Sequence, residues 1–341
     1  MWRYVLKRLG LMLITTFVIL SLTFILMKMI PFPHPPGTAE TRLPFYMNQV
    51  RLGYMYRVQD PTASAEVSLQ IGTTIYRFNQ FPVLTQYSSW LRGIFTEWNW
   101  GLSTRIRLNV SAMEIILDRL PYSLKLNLVS VFIAVPLGFV FGITAALNKN
   151  KPADHIISTG VMIFISIPSF VMITFLLIIF AYGLKWLPTQ WPSDNAPLDV
   201  RVLGFVLPVA SLAFGSIAGF ARYTRAELAE IMSSEFLLLA RTKGLTKTQS
   251  VIRHALRNSL VPIIPMIIGE FVGLLAGSMI LENLYGIPGI GSLFITAIQQ
   301  KDYNVVMVDM AMYTMIGLLA TLLVDLSYGI VDPRIRMGAK K

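Results

Sequence analysis

Four ionisable side chains, Lys125, Glu270, Asp309 and Asp325, stand within or beside long apolar runs of this chain. A charge in such a place is costly, so it normally faces a bundle interior, a partner or a water path. Glu270 lies among Gly269, Gly273 and Gly277, which recur every four residues on one helical face and read as a close-packing stripe. It is the candidate to line a pathway or to touch another subunit. Helix packing or an interface is the favoured reading for all four, because a proton-driven carrier needs a denser placement of acids or histidines. Other chemistry is sparse. The three histidines, His34, His155 and His254, fall in separate segments without an H-E-x-x-H or related spacing, and there is no cysteine. No G-x-x-x-x-G-K-[ST] phosphate loop and no nucleophile elbow occurs. The chain is therefore expected to carry no catalytic residue, no metal and no cofactor of its own.

The most informative segment is Glu235 to Pro262, EFLLLARTKGLTKTQSVIRHALRNSLVP. Good helix formers run from Glu235 to Lys243 and stop at Gly244, whose backbone freedom suits a sharp turn. Thr246 and Gln249 have capping-box spacing, which starts a second helix. On a 3.6-residue wheel Ile252, Ala255, Leu256, Ser259 and Leu260 share one arc, and Arg253, His254 and Arg257 share the other. One face packs while the other meets water or a protein. An ordinary basic loop, placed by membrane topology alone, is the plainer alternative.

These residues are carried by membrane elements. The 341 residues are 54% hydrophobic and 14% charged, with a mean hydropathy of +0.60, and the apolar residues are gathered in long runs. That predicts an all-α polytopic membrane protein. Six stretches are long enough to span: about Leu9 to Ile30, Tyr122 to Leu147, Ile156 to Leu184, Val202 to Ala221, Leu260 to Leu281 and Val305 to Ile330. A net charge of +11 would suggest nucleic acid in a soluble protein. Here the basic residues cluster before the first stretch, after the second, after the fourth and at residues 334–341, which fits cytoplasmic loops with both termini inside. The basic, apolar N-terminal run lacks a small-residue cleavage pattern and reads as a retained span.

The expected domains follow. Residues 1–30 form an N-terminal transmembrane helix and 31–118 a large extracytoplasmic insertion, too polar to span and too aromatic for a linker. Residues 119–331 form a five-helix transmembrane domain whose cytoplasmic loop runs over about 222–258, and 332–341 form a cytoplasmic tail. In the insertion, Tyr87, Trp90, Leu91, Ile94 and Phe95 have helical spacing, for a helix resting at the membrane surface, packing on the spans or closing the insertion's own core. Pro168, within SIPSF, permits a kink in mid-span, as do Pro208, Pro262 and Pro265. Tyr285 to Gly291, YGIPGIG, is too rich in Gly and Pro to stay helical.

From about Tyr87 onward the chain resembles the permease subunits of the oligopeptide, dipeptide and nickel ABC importers, with the type I transmembrane fold. The resemblance runs in order through QYSSWL (86–91), RLPYSLKLNL (119–128), SIPSF (166–170), WLP (186–188), ARTKGL with RHALRNSLVP (240–262), IPGIG (287–291), KDYNVV (301–306) and VDPRIR (331–336). It covers about three quarters of the chain, and little between Phe32 and Phe81 matches. The resemblance implies that Glu235 to Pro262 is the cytoplasmic EAA coupling loop, seated in a groove of an ATP-hydrolysing subunit. Glu235 and Ala240 would lie at that contact, Arg241 and Lys243 would supply polar contacts, and Gly244 and Leu245 would form the turn. Leu238 and Leu239 depart from the motif, standing where the family has glutamate and alanine.

The resemblance further implies a second homologous permease, two ABC ATPases that hold ATP and Mg, and an extracytoplasmic binding protein delivering peptide in a bacterial inner membrane. Nickel or another small solute is the alternative cargo. An autonomous secondary carrier and a membrane-anchored scaffold are the competing classes, and neither explains the basic loop.

Overall fold

The computed structural model describes residues 2–30, 34–60, 62–273 and 278–331. The chain runs through α1 (Trp2–Met29), α2 (Ala39–Arg51), strands β1 (Met55–Arg57), β2 (Val67–Ile71) and β3 (Thr74–Gln80), then α3 (Val83–Glu97) and α4 (Ala112–Leu147). Next come α5 (Pro152–Ser166), α6 (Ser169–Leu176) opening into a wide π turn at Leu177–Gly183, α7 (Leu198–Met232) and α8 (Glu235–Thr242). Two short helices, α9 (Lys247–Ser250) and α10 (Leu256–Ser259), are joined by a second π turn at Val251–Ala255. The chain continues through α11 (Ile263–Gly273), α12 (Met279–Tyr285), α13 (Ile290–Gln300) and α14 (Tyr303–Val331).

Among the described residues four helical stretches are long and apolar enough to cross a membrane: Val5–Met29, Ala112–Leu147, Leu198–Met232 and Tyr303–Gly329. The third predicted span is a bent pair instead of a straight helix, and the fifth, expected from Leu260 to Leu281, shares only its first half with a second bent pair that begins earlier, at Thr248. Pro152–Ser166 meets Ser169–Gly183 at 102°, and Thr248–Ser259 meets Ile263–Phe271 at 53°. Proline explains the first break. Pro168 has no N–H to donate and forces Ile167 out of the helical region, to φ −97° and ψ 114°. The second break falls at Pro262.

Residues group into two compact units, one holding the chain up to Pro121 with Leu293–Met315, the other Tyr122–Ser292 with the chain from Ile316. In the first unit, α3 packs on α1. Phe24 stacks on Trp90 with ring centroids 5.0 Å apart, and the Ser21 and Tyr87 hydroxyls lie 2.6 Å apart. This answers the question left by the aromatic spacing, in favour of packing on the first helix. The same unit departs from the all-α expectation, since it holds a three-stranded antiparallel sheet in the order β1-β3-β2. Val67 faces Phe78 and Leu69 faces Tyr76 in register, and alternation buries Val67 and Leu69 against Phe45, Tyr46, Met55 and Phe78. Gly72, at φ +57°, closes the β2–β3 hairpin. The fold is thus mostly helical, with one small sheet.

In the second unit, α7 is the central post. Gly138 and Gly142, four residues apart on α4, let that helix approach it closely. A Cβ at Gly142 would sit 2.5 Å from the Thr224 Cβ and 2.7 Å from the Ala221 carbonyl, and one at Gly138 would sit 2.5 Å from the Phe220 Cβ. Gly142→Ala is expected to cost about 1–3 kcal/mol through overpacking and to lower the thermal midpoint of the purified protein by several degrees. Gly160→Ala, on α5 with nothing within 4 Å of the new Cβ, is expected to be neutral or slightly stabilising.

Candidate functional site

Helix α8 and the turn after it form a built, exposed device in the second unit. Among the described residues Leu237 is the only buried side chain of α8. It inserts at 1% exposure into a cluster with Ala146 from the end of α4, Leu228 from α7, and Val251 and Ala255 from the π turn. Its neighbours point out: Phe236, Leu238 and Leu239 are 44%, 63% and 57% exposed. Three apolar side chains on an eight-residue helix form a small exposed patch of the kind that meets another protein. Glu235, in the first turn, is exposed where an acid complements the helix dipole.

The turn follows the residues closely. The helix ends at Thr242, and Gly244 takes φ +94°, a left-handed conformation that residues with a Cβ adopt at a cost. Its N–H donates to the Arg241 carbonyl at 3.0 Å, and the Leu245 N–H donates to the Ala240 carbonyl at 3.4 Å. Arg241 is half-buried and its Nε reaches the Ser250 hydroxyl at 3.4 Å, while Lys243 is exposed. The capping box is present in both directions. The Gln249 N–H donates to the Thr246 hydroxyl at 3.2 Å, and the Thr246 N–H donates to the Gln249 Oε1 at 3.2 Å.

The second helix of the pair differs from its wheel. The π turn at Val251–Ala255 adds residues to one turn, so burial repeats every four positions, at Val251, Ala255 and Ser259. Ile252, placed on the packed arc by a 3.6-residue period, is 61% exposed. Arg253, His254 and Arg257 are exposed as expected.

A model of the binding-protein-dependent transport system inner membrane component family matches residues 138–337, well over half of the chain. The chain belongs to that family. Relatives extend the likeness over the whole length. The dipeptide transport system permease protein DppB of Bacillus subtilis is 34% identical, with 100% of each chain covered. The oligopeptide transport system permease proteins OppB of Haemophilus influenzae and Escherichia coli K12 are 32% and 31% identical, each alignment covering 98% of this chain and 100% of the relative. Among solved structures, a chain of the MetNI methionine ABC transporter aligns with a TM-score of 0.47 at 18% identity, over 66% of this chain and 96% of that one. This inner membrane component is a permease of the bacterial membrane, and its apolar helices are the elements suited to that place.

The remaining candidates of the permease are spread along its helices. Gly269 lies on α11, where a Cβ would approach the Val324 side chain to 3.3 Å. Gly273 ends that helix, and Gly277 lies outside the described residues. Glu270, half-buried on α11, accepts a short hydrogen bond from the Ser216 hydroxyl on α7. Lys125 is exposed in a cavity shared with Tyr122, Trp191, Asp194 and Arg201. Asp309 is buried and Asp325 half-buried on α14.

One carboxylate of the same unit escaped sequence reading. Glu282, fully buried in the first turn of α12, accepts from the Ser123 hydroxyl at 2.7 Å and from the Ser292 N–H at 3.1 Å. Gly289 and Gly291 leave room for it, since a Cβ at Gly289 would come within 2.4 Å of its carboxylate. Burial pushes the Glu282 carboxyl up from its ordinary range, against those hydrogen bonds. The YGIPGIG run is therefore a turn only at residues 286–289, wrapped round a buried acid, and the helix resumes at Ile290. An acid four residues ahead of a Gly- and Pro-containing turn is the signal the sequence offers.

Proposed function

We propose that this permease is one of two homologous membrane subunits of an ATP-driven importer of dipeptides or oligopeptides, and that α8 with its turn is where a separate ATPase grips it. The observation that carries the site is α8 itself, held by Leu237 and presenting Phe236, Leu238, Leu239 and Lys243 outward. The full-length likeness to dipeptide and oligopeptide permeases favours peptide as cargo over nickel.

In this reading the bent pair Pro152–Gly183 is the third span and the stretch opening at Leu260 the fifth, giving six, with both termini and the loop of about 222–258, α8 included, inside and residues 31–118 outside. The small sheet, within residues 31–118, then faces the extracytoplasmic binding protein. Two ATPases hold ATP and Mg, and their closure on nucleotide pushes α8 and turns the pathway between the two permeases from inward-facing to outward-facing. Moving such an equilibrium from 1:99 to 99:1 takes about 5.5 kcal/mol of differential binding. Leu238 replaces a polar contact by an apolar one and Leu239 enlarges the apolar surface beside it, so the groove receiving them is expected to be apolar.

Affinity purification of the tagged chain from its own membranes tests this. A second permease and ABC ATPases are expected to copurify, and proteoliposomes of that complex with its binding protein are expected to accumulate labelled peptide only with ATP. Uptake by this chain alone, driven by an ion gradient, would defeat the proposal.

A further inference from the structure

Buried Asp154 and half-buried Arg225 form a fork that the coupling and transport roles proposed so far do not use. Asp154, two residues into α5, is 1% exposed. Its Oδ1 accepts from the Arg225 Nε at 2.5 Å and from the Ser158 hydroxyl at 3.2 Å. Its Oδ2 accepts from the Arg225 Nη2 at 2.8 Å and from the Asn150 N–H at 2.9 Å. Both oxygens are therefore engaged twice. Asn150 has φ +64°, a left-handed conformation that asparagine enters more readily than most residues with a side chain. One carboxylate thus fixes the turn from α4 to α5 and ties it to α7.

The position of Arg225 gives the fork its meaning. It lies three residues before Leu228, on the same helix, and Leu228 packs in the cluster that seats Leu237 of α8. A displacement of α8 passed through that cluster moves this end of α7 and carries Arg225 with it. The fork then either breaks, leaving a buried carboxylate without its cation, or takes the start of α5 along. Leaving a buried charge unpaired is the more costly course. Further along, Phe164 of α5 stacks on Phe214 of α7 with ring centroids 4.9 Å apart, so α5 is held to α7 at two points. Fifteen residues make α5 a rod about 22 Å long, and its far end is the 102° break at Ile167 and Pro168.

We infer that Asp154 and Arg225 are positioning residues for transport: their fork makes α5 travel with the coupling segment, so that a push on α8 arrives at the Pro168 break. The inference rests on the proposal that an ATPase drives α8, and the experiment separates the two. The complete importer is reconstituted with its binding protein, and uptake of a radiolabelled pool of di- to pentapeptides is measured together with ATP hydrolysis. Asp154→Asn keeps the shape of the side chain and removes its charge. ATPases are expected to copurify at the normal ratio, and hydrolysis without binding protein is expected to stay within about twofold, while peptide taken up per ATP falls about tenfold. Arg225→Lys, which keeps the charge and loses the fork, is expected to fall between the two. Unchanged uptake per ATP in Asp154→Asn would overturn the inference, and so would loss of the copurifying ATPases, which would make the fork a support of the docking surface. Absence of ATPases from the unmodified chain would instead defeat the coupling proposal.

Discussion

Gly244→Pro is expected to leave the permease in the membrane and to abolish ATP-driven uptake. The native turn needs φ +94° at this position, whereas proline is held near −65°. Proline also removes the N–H that closes the turn onto the Arg241 carbonyl. The turn must then re-form elsewhere, at a cost of several kcal/mol by a proline in a forbidden place. That shifts α8 relative to the capped helix that follows. Arg241→Glu attacks the same joint differently, replacing the donor to Ser250 by an acid in a basic segment. Neither change touches the close approach of α4 to α7 at Gly138 and Gly142, so the amount of protein in the membrane is expected to stay near normal. ATPase activity of the complex should lose its response to the loaded binding protein, and uptake should fall to the level without ATP. Thr246→Ala is the graded control, since removing one partner of a capping box costs about 1 kcal/mol, and it should lower uptake only modestly. Normal coupling in Gly244→Pro and Arg241→Glu together would show that this turn is not where the drive enters.

What the sequence revealed about this device, and what it hid, divides by the range of the interactions. Gly244 and the Thr246–Gln249 box are local, so residue type and spacing sufficed. The burial of Leu237 was not legible, because it depends on Ala146 and Leu228, about ninety and nine residues away. Ile252 was assigned to the wrong side for a related reason. A 3.6-residue period cannot foresee a π turn, and Ile252 lies inside one. Glycine spacing shows the same limit. Gly269, Gly273 and Gly277 stand out by spacing, yet among the described residues Gly138 and Gly142, with identical spacing in a run as apolar as any other, make a much closer helix approach than Gly269. The sheet was hidden by its brevity: Val67, Leu69, Tyr76 and Phe78 alternate correctly, but over segments of five and seven residues in a stretch resembling nothing recognised. The buried acids Asp154, Glu282 and Asp302 were missed as sites because each looks, in sequence, like an ordinary helix-end residue.

Asp302→Ala is expected to be the most damaging single change to the first unit. Asp302 immediately precedes α14 and its carbonyl accepts from the Val306 N–H at 3.0 Å, as an N-cap residue does. Its carboxylate does something else. Oδ2 accepts from the Ser103 hydroxyl at 2.5 Å and from the backbone N–H groups of Thr104, Arg105 and Ile106 at 3.1, 3.0 and 3.1 Å. Three successive amides pointing at one oxygen make a nest for an anion, filled here by the protein itself. The neighbouring Asn304 secures the same loop by donating to the Leu102 carbonyl at 2.8 Å. Gly101, at φ +87°, passes so close that a Cβ would meet the Asn304 amide at 2.7 Å. Truncation to alanine strands three amide donors and a hydroxyl in a buried place, a loss of about 3–5 kcal/mol by analogy with the breaking of a buried charge pair. The thermal midpoint of the purified chain should fall by about 5–10 °C, and trypsin should cut after Arg105 or Arg107 under conditions that leave the native loop whole. Asp302→Asn keeps an oxygen acceptor without the charge and should lose less. Asp118→Ala removes only the partner of Arg107 in an ion pair whose side chains are 42% and 52% exposed, and should cost less than about 1 kcal/mol. If Asp302→Ala melts with Asp118→Ala and resists trypsin equally, the loop is held by Asn304 and packing, and the buried carboxylate is incidental to it.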